Sequence, residues 1–261
     1  MIIDPAALQS LSGDALAEAV RIVEELDRRD RQKRIEHFFP DVTHVWRGQT
    51  YHARHLYPKH MEFFEATAKN REVGFIAANR VGKTIGGGNA MSYWLTGRYP
   101  HWWPGRRFER PIRAWAAGKT NESTRDVIQN LLLGDITYED SGKRKLVDGT
   151  GLIPGDALAL GQGQITWKQG VSDLVDTIKI RHVSGGYSTL GFKSYQQGRG
   201  AFEGTAQHVI WVDEEPGKSE YGEMVVRTAT TNGLIMATFT PLEGMSDVVL
   251  SYMPSSYTPS G

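Results

Sequence analysis

The residues with the clearest capacity for chemistry are Gly82, Lys83 and Thr84, in the stretch GFIAANRVGKTIGGG that runs from Gly74 to Gly88. Capturing a phosphate at a strand-to-helix turn needs inward-facing N–H groups, a helix N-terminus and a long cation. The usual spacing is G-x-x-x-x-G-K-S/T. Ala77-Ala78-Asn79-Arg80-Val81-Gly82-Lys83-Thr84 meets every fixed position but the first, where Ala77 replaces glycine. Gly82 would let phosphates approach closely, Lys83 would reach the β- and γ-phosphates, and the Thr84 hydroxyl would coordinate magnesium. The loop residues Ala78, Asn79, Arg80 and Val81, with Ile85 in the first helical turn, would complete the cradle. A basic turn between a strand and a helix is the competing reading of the loop taken alone.

Hydrolysis of a bound nucleotide needs one carboxylate to hold magnesium and another to activate water. VIWVDEEP, Val209 to Pro216, offers both. Its apolar residues place Asp213 at the C-terminal end of a buried strand, where parallel sheets bind ligands. Asp213 would hold magnesium and Glu214 would act as general base, with Glu215 in reserve. A charged turn after a core strand is the bland alternative, but it is rarer in company with the loop above. No Asn-Lys-x-Asp segment occurs, which argues against a GTPase, and the adjacent Asp-Glu favours water over a small-molecule acceptor.

These residues need a frame that alternates strands and helices. Glu72–Ala78 reads as a strand, Thr84–Leu95 as a helix and Pro111–Ala117 as a second strand. Thr120 or Asn121 caps a helix running to Leu133. A loop-rich insert then leads to three β-rich runs, QITWK, TIKIRHV and TLGFKSY. Compact apolar runs at His208–Val212 and Leu234–Thr240 suit buried parallel strands. The expected fold is α/β: a RecA-like, additional-strand P-loop NTPase with a mainly parallel central sheet flanked by helices, plus an N-terminal helical arm. Residues 1–50 form the arm and linker, 51–253 the P-loop domain, and 254–261 a Pro/Ser-rich tail. In the arm, Leu8, Leu11, Leu16, Val20, Val23 and Leu26 recur at helical spacing before the charged run RRDRQKR. A solvated helix packed by one face is favoured there over a DNA-binding arm.

Bulk properties bound the partners. With 30 Lys+Arg against 30 Asp+Glu the formal net charge is zero, so any polyanion must be held by a local patch. The chain has no cysteine, which excludes disulfides, thiol catalysis and cysteine-type zinc sites. No apolar run is long enough to span a bilayer, and the N-terminus lacks the pattern of a secretory signal.

With these residues in view, the chain resembles the ATPase half of the large terminase subunit of tailed bacteriophages, from about Leu56 onward. AANRVGKT is similar to the family's variant loop, in which the first glycine is often replaced and an arginine sits inside. LTGRYPHWWPGRRF (Leu95–Phe108), SYQQGRGAFEGTAQHVIWVDEEP and TFTPLEG (Thr238–Gly244) are similar to stretches that follow in the same order. The resemblance implies a motor that hydrolyses ATP, with Mg2+, to thread double-stranded DNA into a procapsid. It implies a homo-oligomeric ring docked on the portal protein in the host cytoplasm, in partnership with the small terminase subunit. It assigns phosphate and magnesium to Lys83 and Thr84, magnesium to Asp213, water activation to Glu214, coupling to Thr240, and a transition-state or switch role to Arg80. Arg125 and Arg199 are candidates for an arginine finger supplied to a neighbouring subunit. The family continues into a nuclease domain, for which the sequence leaves no room, so no nuclease activity is expected. A helicase or recombinase-type motor without a capsid, or a non-hydrolysing nucleotide-binding assembly module, are the alternatives.

Adenine recognition should precede the loop. Tyr57 and His60 in LYPKHMEFF sit where the family places that contact, although Tyr57 could equally pack the helix starting near His60. For DNA, GRYPHWWPGRRFERPIR interleaves five arginines with aromatic residues. A packed loop scaffold is the preferred reading of its tryptophans. Gly142-Lys143-Arg144-Lys145 is a second candidate patch.

Overall fold

The computed structural model describes residues 13–138, 145–242 and 244–253. The arm is helix α1 (Asp14–Arg31), followed by a hairpin of β1 (His44–Trp46) and β2 (Gln49–Tyr51). Helix α2 (Pro58–Lys69) leads into β3 (Glu72–Ile76), the phosphate-loop candidate and α3 (Lys83–Thr96). Next come β4 (Arg113–Gly118) and the helical segment α4 over 121–133, whose middle, Thr124–Gln129, is wound as π-helix. The short strands β5 (Ile136–Tyr138) and β6 (Lys145–Val147) pair with each other. They are followed by β7 (Leu158–Ala159), β8 (Ile165–Trp167), β9 (Val175–Arg181) and β10 (Tyr187–Ser194). The chain then forms β11 (Val209–Asp213), α5 (Lys218–Ala229), β12 (Leu234–Phe239) and α6 (Asp247–Ser251).

The central sheet runs β3-β12-β11-β4-β10-β9-β7, with β8 also paired to β9. From β3 to β10 the five strands are parallel; the pairs that β9 makes with β10, β7 and β8 are antiparallel. One strand, β12, stands between β3 and β11, which is the additional-strand arrangement expected of this fold. The β11 and β12 cores, buried along their whole length, read as continuous apolar runs because helices cover both faces of a parallel sheet. On one face α3 carries Met91, Trp94 and Leu95 into the main core; Ile210, Val212 and Phe239 point to a second core beneath α5 and α6.

Helix α3 begins with three consecutive glycines after Ile85, an unfavourable composition for a helix interior by roughly 0.5–1 kcal/mol per residue. Close approach explains the central one. A Cβ at Gly87 would lie 2.6 Å from Nε1 and Cε2 of Trp211, a fully buried side chain on β11. Gly87→Ala is therefore expected to lower the unfolding free energy by about 1–3 kcal/mol through overpacking, despite alanine's better helix propensity. A shift of the urea midpoint to lower concentration checks it; a stabilised variant would mean that the indole yields freely.

The sequence-based bounds shift by a residue or two at most elements, and one expectation fails. Helix α1 has no buried residue: its apolar side chains Leu16, Val20 and Leu26 are exposed, so it does not pack by that face against the described residues. It is instead tethered by polar contacts. Arg47 of the hairpin turn reaches Asp27 at 2.7 Å, and Gln32 donates to the Asp148 carbonyl. Residues 142–144 of the Gly-Lys-Arg-Lys patch and the tail 254–261 lie outside the described residues.

Candidate functional site

Five parallel strands each deliver a residue to one cleft just past their C-terminal ends. From the loop after β3 come Asn79, Arg80 and Gly82, with the start of α3; from β12, Thr240; from β11, Asp213 and Glu214; from β4, Lys119; from β10, Tyr195. The cleft has a volume of ≈ 660 Å³ and opens at the crevice where parallel sheets bind ligands.

The loop takes its shape without the missing glycine. Ala77 has no left-handed φ; the positive values fall on Arg80 (64°) and Gly82 (82°), the N-cap of α3. At Gly82 a side chain would be strained, and a Cβ would stand 3.2 Å from His60 Nε2. The Lys83 ammonium is folded back into the loop, donating to the carbonyls of Ala77 (2.9 Å) and Ala78 (2.6 Å) and to Thr240 Oγ1 (3.0 Å). Thr240 in turn donates within a network that includes the Ala77 carbonyl and Asn79 Oδ1. The end of β12 is thus wired to the loop at two points. Burial draws the Lys83 ammonium below its ordinary range, partly offset by the Asp213 charge.

Asp213 is buried, and its Oδ1 accepts from Thr84 Oγ1 at 3.0 Å and from Thr238 Oγ1 at 2.6 Å. Burial pushes its carboxyl up to about 6, with Glu214 adding to the effect and the two threonines and Lys83 opposing it. A carboxylate still raised after gaining two hydroxyl donors and a nearby ammonium is short of positive charge. The donors that face it and the cleft are hard oxygens, the set a magnesium ion takes with phosphate and water.

Glu214 sits in left-handed backbone (φ 70°), which costs a non-glycine residue of order 1 kcal/mol. The conformation is held from both sides: its N–H donates to the Thr238 carbonyl, and the Tyr195 hydroxyl lies 3.2 Å from its own carbonyl. The result turns the Glu214 side chain away from the core, exposed on the cleft wall. Glu215 differs: it is half-buried and accepts from the Ser246 hydroxyl that caps α6.

A second cavity of ≈ 410 Å³ adjoins the loop on its other side, sharing Arg80, Gly82 and Ile85 with the cleft. Phe39, Tyr51, Tyr57 and His60 supply its aromatic wall. His60 is buried, its Nε2 3.2 Å from the Gly82 carbonyl and its ring edge-on to Phe75; burial lowers its pKa. Tyr57 is half-buried, edge-on to both Phe39 and His60. The structure therefore brings both residues to the loop, and makes His60 a support of the loop backbone.

The other candidates lie elsewhere. Arg125 pairs with Asp126 (2.6 Å) and the Ser172 carbonyl. Arg199 pairs with Glu223 (3.0 Å), whose second oxygen holds Arg227. Neither lines the cleft. In the arginine–aromatic stretch Trp103 is buried and bonded to the Arg106 carbonyl, with Arg107 over Tyr99 and Arg106 over Phe108. Arg98 is held bidentately by Asp156. That segment is a packed scaffold, as the preferred reading had it. Sequence reasoning missed Lys119, Tyr195, Trp211 and Thr238. Lys119, after the strand–turn Ala116-Ala117-Gly118, was detectable as a second Gly-Lys-Thr at a strand end; the other three carry no signal until strands are paired.

Comparison with known proteins bears on all of this. The model of the family described as terminase large subunit, T4likevirus-type, N-terminal, matches residues 75–256. The large terminase subunit of Salmonella phage P22 is 32% identical over 267 residues, which cover 95% of this chain and 48% of that protein. The chain thus spans about half the length of this relative. A structure of the large terminase of a thermophilic bacteriophage in complex with ADP aligns over 70% of this chain and 37% of its own, at 14% identity and a TM-score of 0.40.

Proposed function

The chain belongs to the terminase large subunit family, and from that premise we propose that it binds and hydrolyses ATP to drive double-stranded DNA into a viral procapsid. The observation that carries the reading is the convergence of Lys83, Thr84, Asp213, Glu214 and Thr240 on one cleft at the strand ends. ATP places its β- and γ-phosphates against the backbone N–H groups of 78–85, and Lys83 exchanges its loop carbonyls for phosphate oxygens. Thr84 and Asp213 are the residues that would hold magnesium, and the ion would supply positive charge to offset that of the phosphates. The Glu214 carboxylate takes a proton from water as its oxygen attacks the γ-phosphorus and the bond to the β-bridging oxygen breaks, leaving ADP and phosphate. Thr240, bonded to Lys83 and to the loop, reads the departure of the γ-phosphate and passes it along β12. Arg80 lies between the phosphate cleft and the aromatic cavity, where Tyr57 and His60 border the adenine. An arginine from a neighbouring subunit, Arg199 or Arg125, completes the site in a homo-oligomeric ring. The ring docks on the portal protein in the host cytoplasm and works with the small terminase subunit.

Phosphate release from ATP, measured against magnesium and pH, tests this. Protonated Asp213 does not hold a dication, so metal affinity should fall as pH drops through about 6, not through the ordinary aspartate range near ~3.9. At sub-saturating magnesium the turnover is expected to show an acid limb near pH 6 that moves lower as magnesium rises, because metal and proton compete. A limb indifferent to magnesium would count against Asp213 as the ligand. In metal-free folding the sign follows from the same shift. A carboxyl whose folded pKa lies above its ordinary value of 3.8 binds its proton more tightly in the folded chain. Its contribution to stability is therefore least favourable above about pH 6 and improves as pH falls from about 6 towards about 4.

A further inference from the structure

We infer that Trp211 is a positioning residue for the metal carboxylate, acting through Thr238 to fix which oxygen of Asp213 is free to face the cleft. Trp211 Nε1 stands 2.7 Å from Thr238 Oγ1, and Thr238 Oγ1 stands 2.6 Å from Asp213 Oδ1. An indole N–H only donates, so the Thr238 oxygen must accept it. The hydroxyl's one proton is then left for an acceptor, and the choice lies between Asp213 Oδ1 at 2.6 Å and the Val212 carbonyl at 3.4 Å. The shorter, charge-assisted bond wins. Thr84 donates preferentially to the same oxygen, 3.0 Å against 3.3 Å to Oδ2. Oδ1 therefore carries two hydroxyl donors, and Oδ2 is the oxygen left to the metal.

The relay follows from strand geometry. Asp213 and Thr238 are register partners across the β11–β12 pair, and Trp211 lies two residues before Asp213, on the same face of β11. The indole is itself hemmed in: it is fully buried and lies so close to Gly87 of α3 that even a Cβ there would meet it at 2.6 Å. The helix that starts at the phosphate loop thus clamps the ring that orients the metal carboxylate. Partners of this kind set the direction of a ligand and tune its affinity without touching the metal.

The proposal presupposes that Asp213 holds magnesium in the nucleotide complex, and its test separates the two ideas. Manganese is titrated into the chain saturated with ADP and read by its EPR signal, and ADP affinity is measured separately in EDTA. Trp211→Phe and the isosteric Thr238→Val are each expected to weaken manganese binding about tenfold, with ADP affinity in EDTA unchanged. Thr238→Ser, which keeps the hydroxyl, is expected to bind manganese like the parent. The double variant should be no worse than Thr238→Val alone, because the indole acts only through that hydroxyl. Parental manganese affinity in Trp211→Phe, or additive losses in the double variant, would overturn the relay while leaving the nucleotide site intact. A parent chain that binds no ADP, or ADP without manganese, overturns the nucleotide-site reading and the relay with it.

Discussion

Glu214→Gln is expected to bind ATP as tightly as the parent and to hydrolyse it roughly 10²–10⁴ times more slowly, the usual cost of losing a general base. The substitution is nearly isosteric, and glutamine meets the left-handed backbone at Glu214 at much the same cost as glutamate. The main-chain bonds from Glu214 to Thr238 and near Tyr195 do not involve the side chain. What changes is proton affinity: an amide oxygen cannot take the proton that attacking water must lose. The adjacent carboxylate provides the control. Glu215 is engaged by the Ser246 hydroxyl at the N-cap of α6, so Glu215→Gln should alter turnover by less than about threefold and act instead on the anchoring of that helix. Phosphate release and nucleotide affinity measured for both variants distinguish the assignments. Turnover lost in Glu215→Gln and kept in Glu214→Gln would exchange the two roles.

The residues of the candidate site were legible because two local patterns sufficed: an apolar run ending in Asp-Glu, and a Gly-Lys-Thr between a strand and a helix. The alternation of elements was legible for the same reason, since each core strand is a continuous apolar run. What sequence could not supply were relations between strands. Thr240 takes its expected role from the resemblance of TFTPLEG to the family's coupling stretch, whereas Thr238, in the same stretch, receives none. Only the register that sets it beside Asp213 gives it a task. Tyr195 likewise reads as the end of a β-rich run until its hydroxyl is seen beneath the carbonyls of Asp213 and Glu214. The need for glycine at Gly87 has no local signal either; its cause, an indole on a strand far along the chain, is tertiary. The β1–β2 hairpin was missed because its turn is Arg47-Gly48, with φ of 49° and 77°. That is a type I′-like geometry whose usual signature is Asn-Gly. Arm helix α1 failed for the converse reason: periodic apolar residues mark an amphipathic helix but do not say that anything covers it.

Lys83→Ala is expected to differ from Glu214→Gln by losing binding as well as turnover. The ammonium holds three acceptors, the Ala77 and Ala78 carbonyls and Thr240 Oγ1. It is therefore pre-placed at the loop and needs only to trade neutral acceptors for anionic phosphate oxygens, which add charge–charge attraction to the hydrogen bond. Removing it deletes those bonds and also the nearby positive charge that helps to keep Asp213 ionised. Both losses weaken the same ligand: phosphate loses its cation, and the carboxyl that should hold magnesium is driven further towards its protonated form. ATP affinity is expected to fall more than about tenfold and turnover more than about 10²-fold, as for loss of a charge-assisted clamp on a transferring phosphoryl group. Stability should move little, by about 1 kcal/mol or less, because Ala78 is exposed and Ala77 half-buried, so that the Ala78 carbonyl can turn to water while that of Ala77 keeps the Thr240 hydroxyl. Calorimetric titration with ADP and with ATP, alongside a thermal melt, reads the three quantities together. Nucleotide affinity retained in Lys83→Ala would place the phosphates away from the loop and remove the central premise of the site. A collapse of the melt would instead mark Lys83 as a structural pin joining β3 to β12.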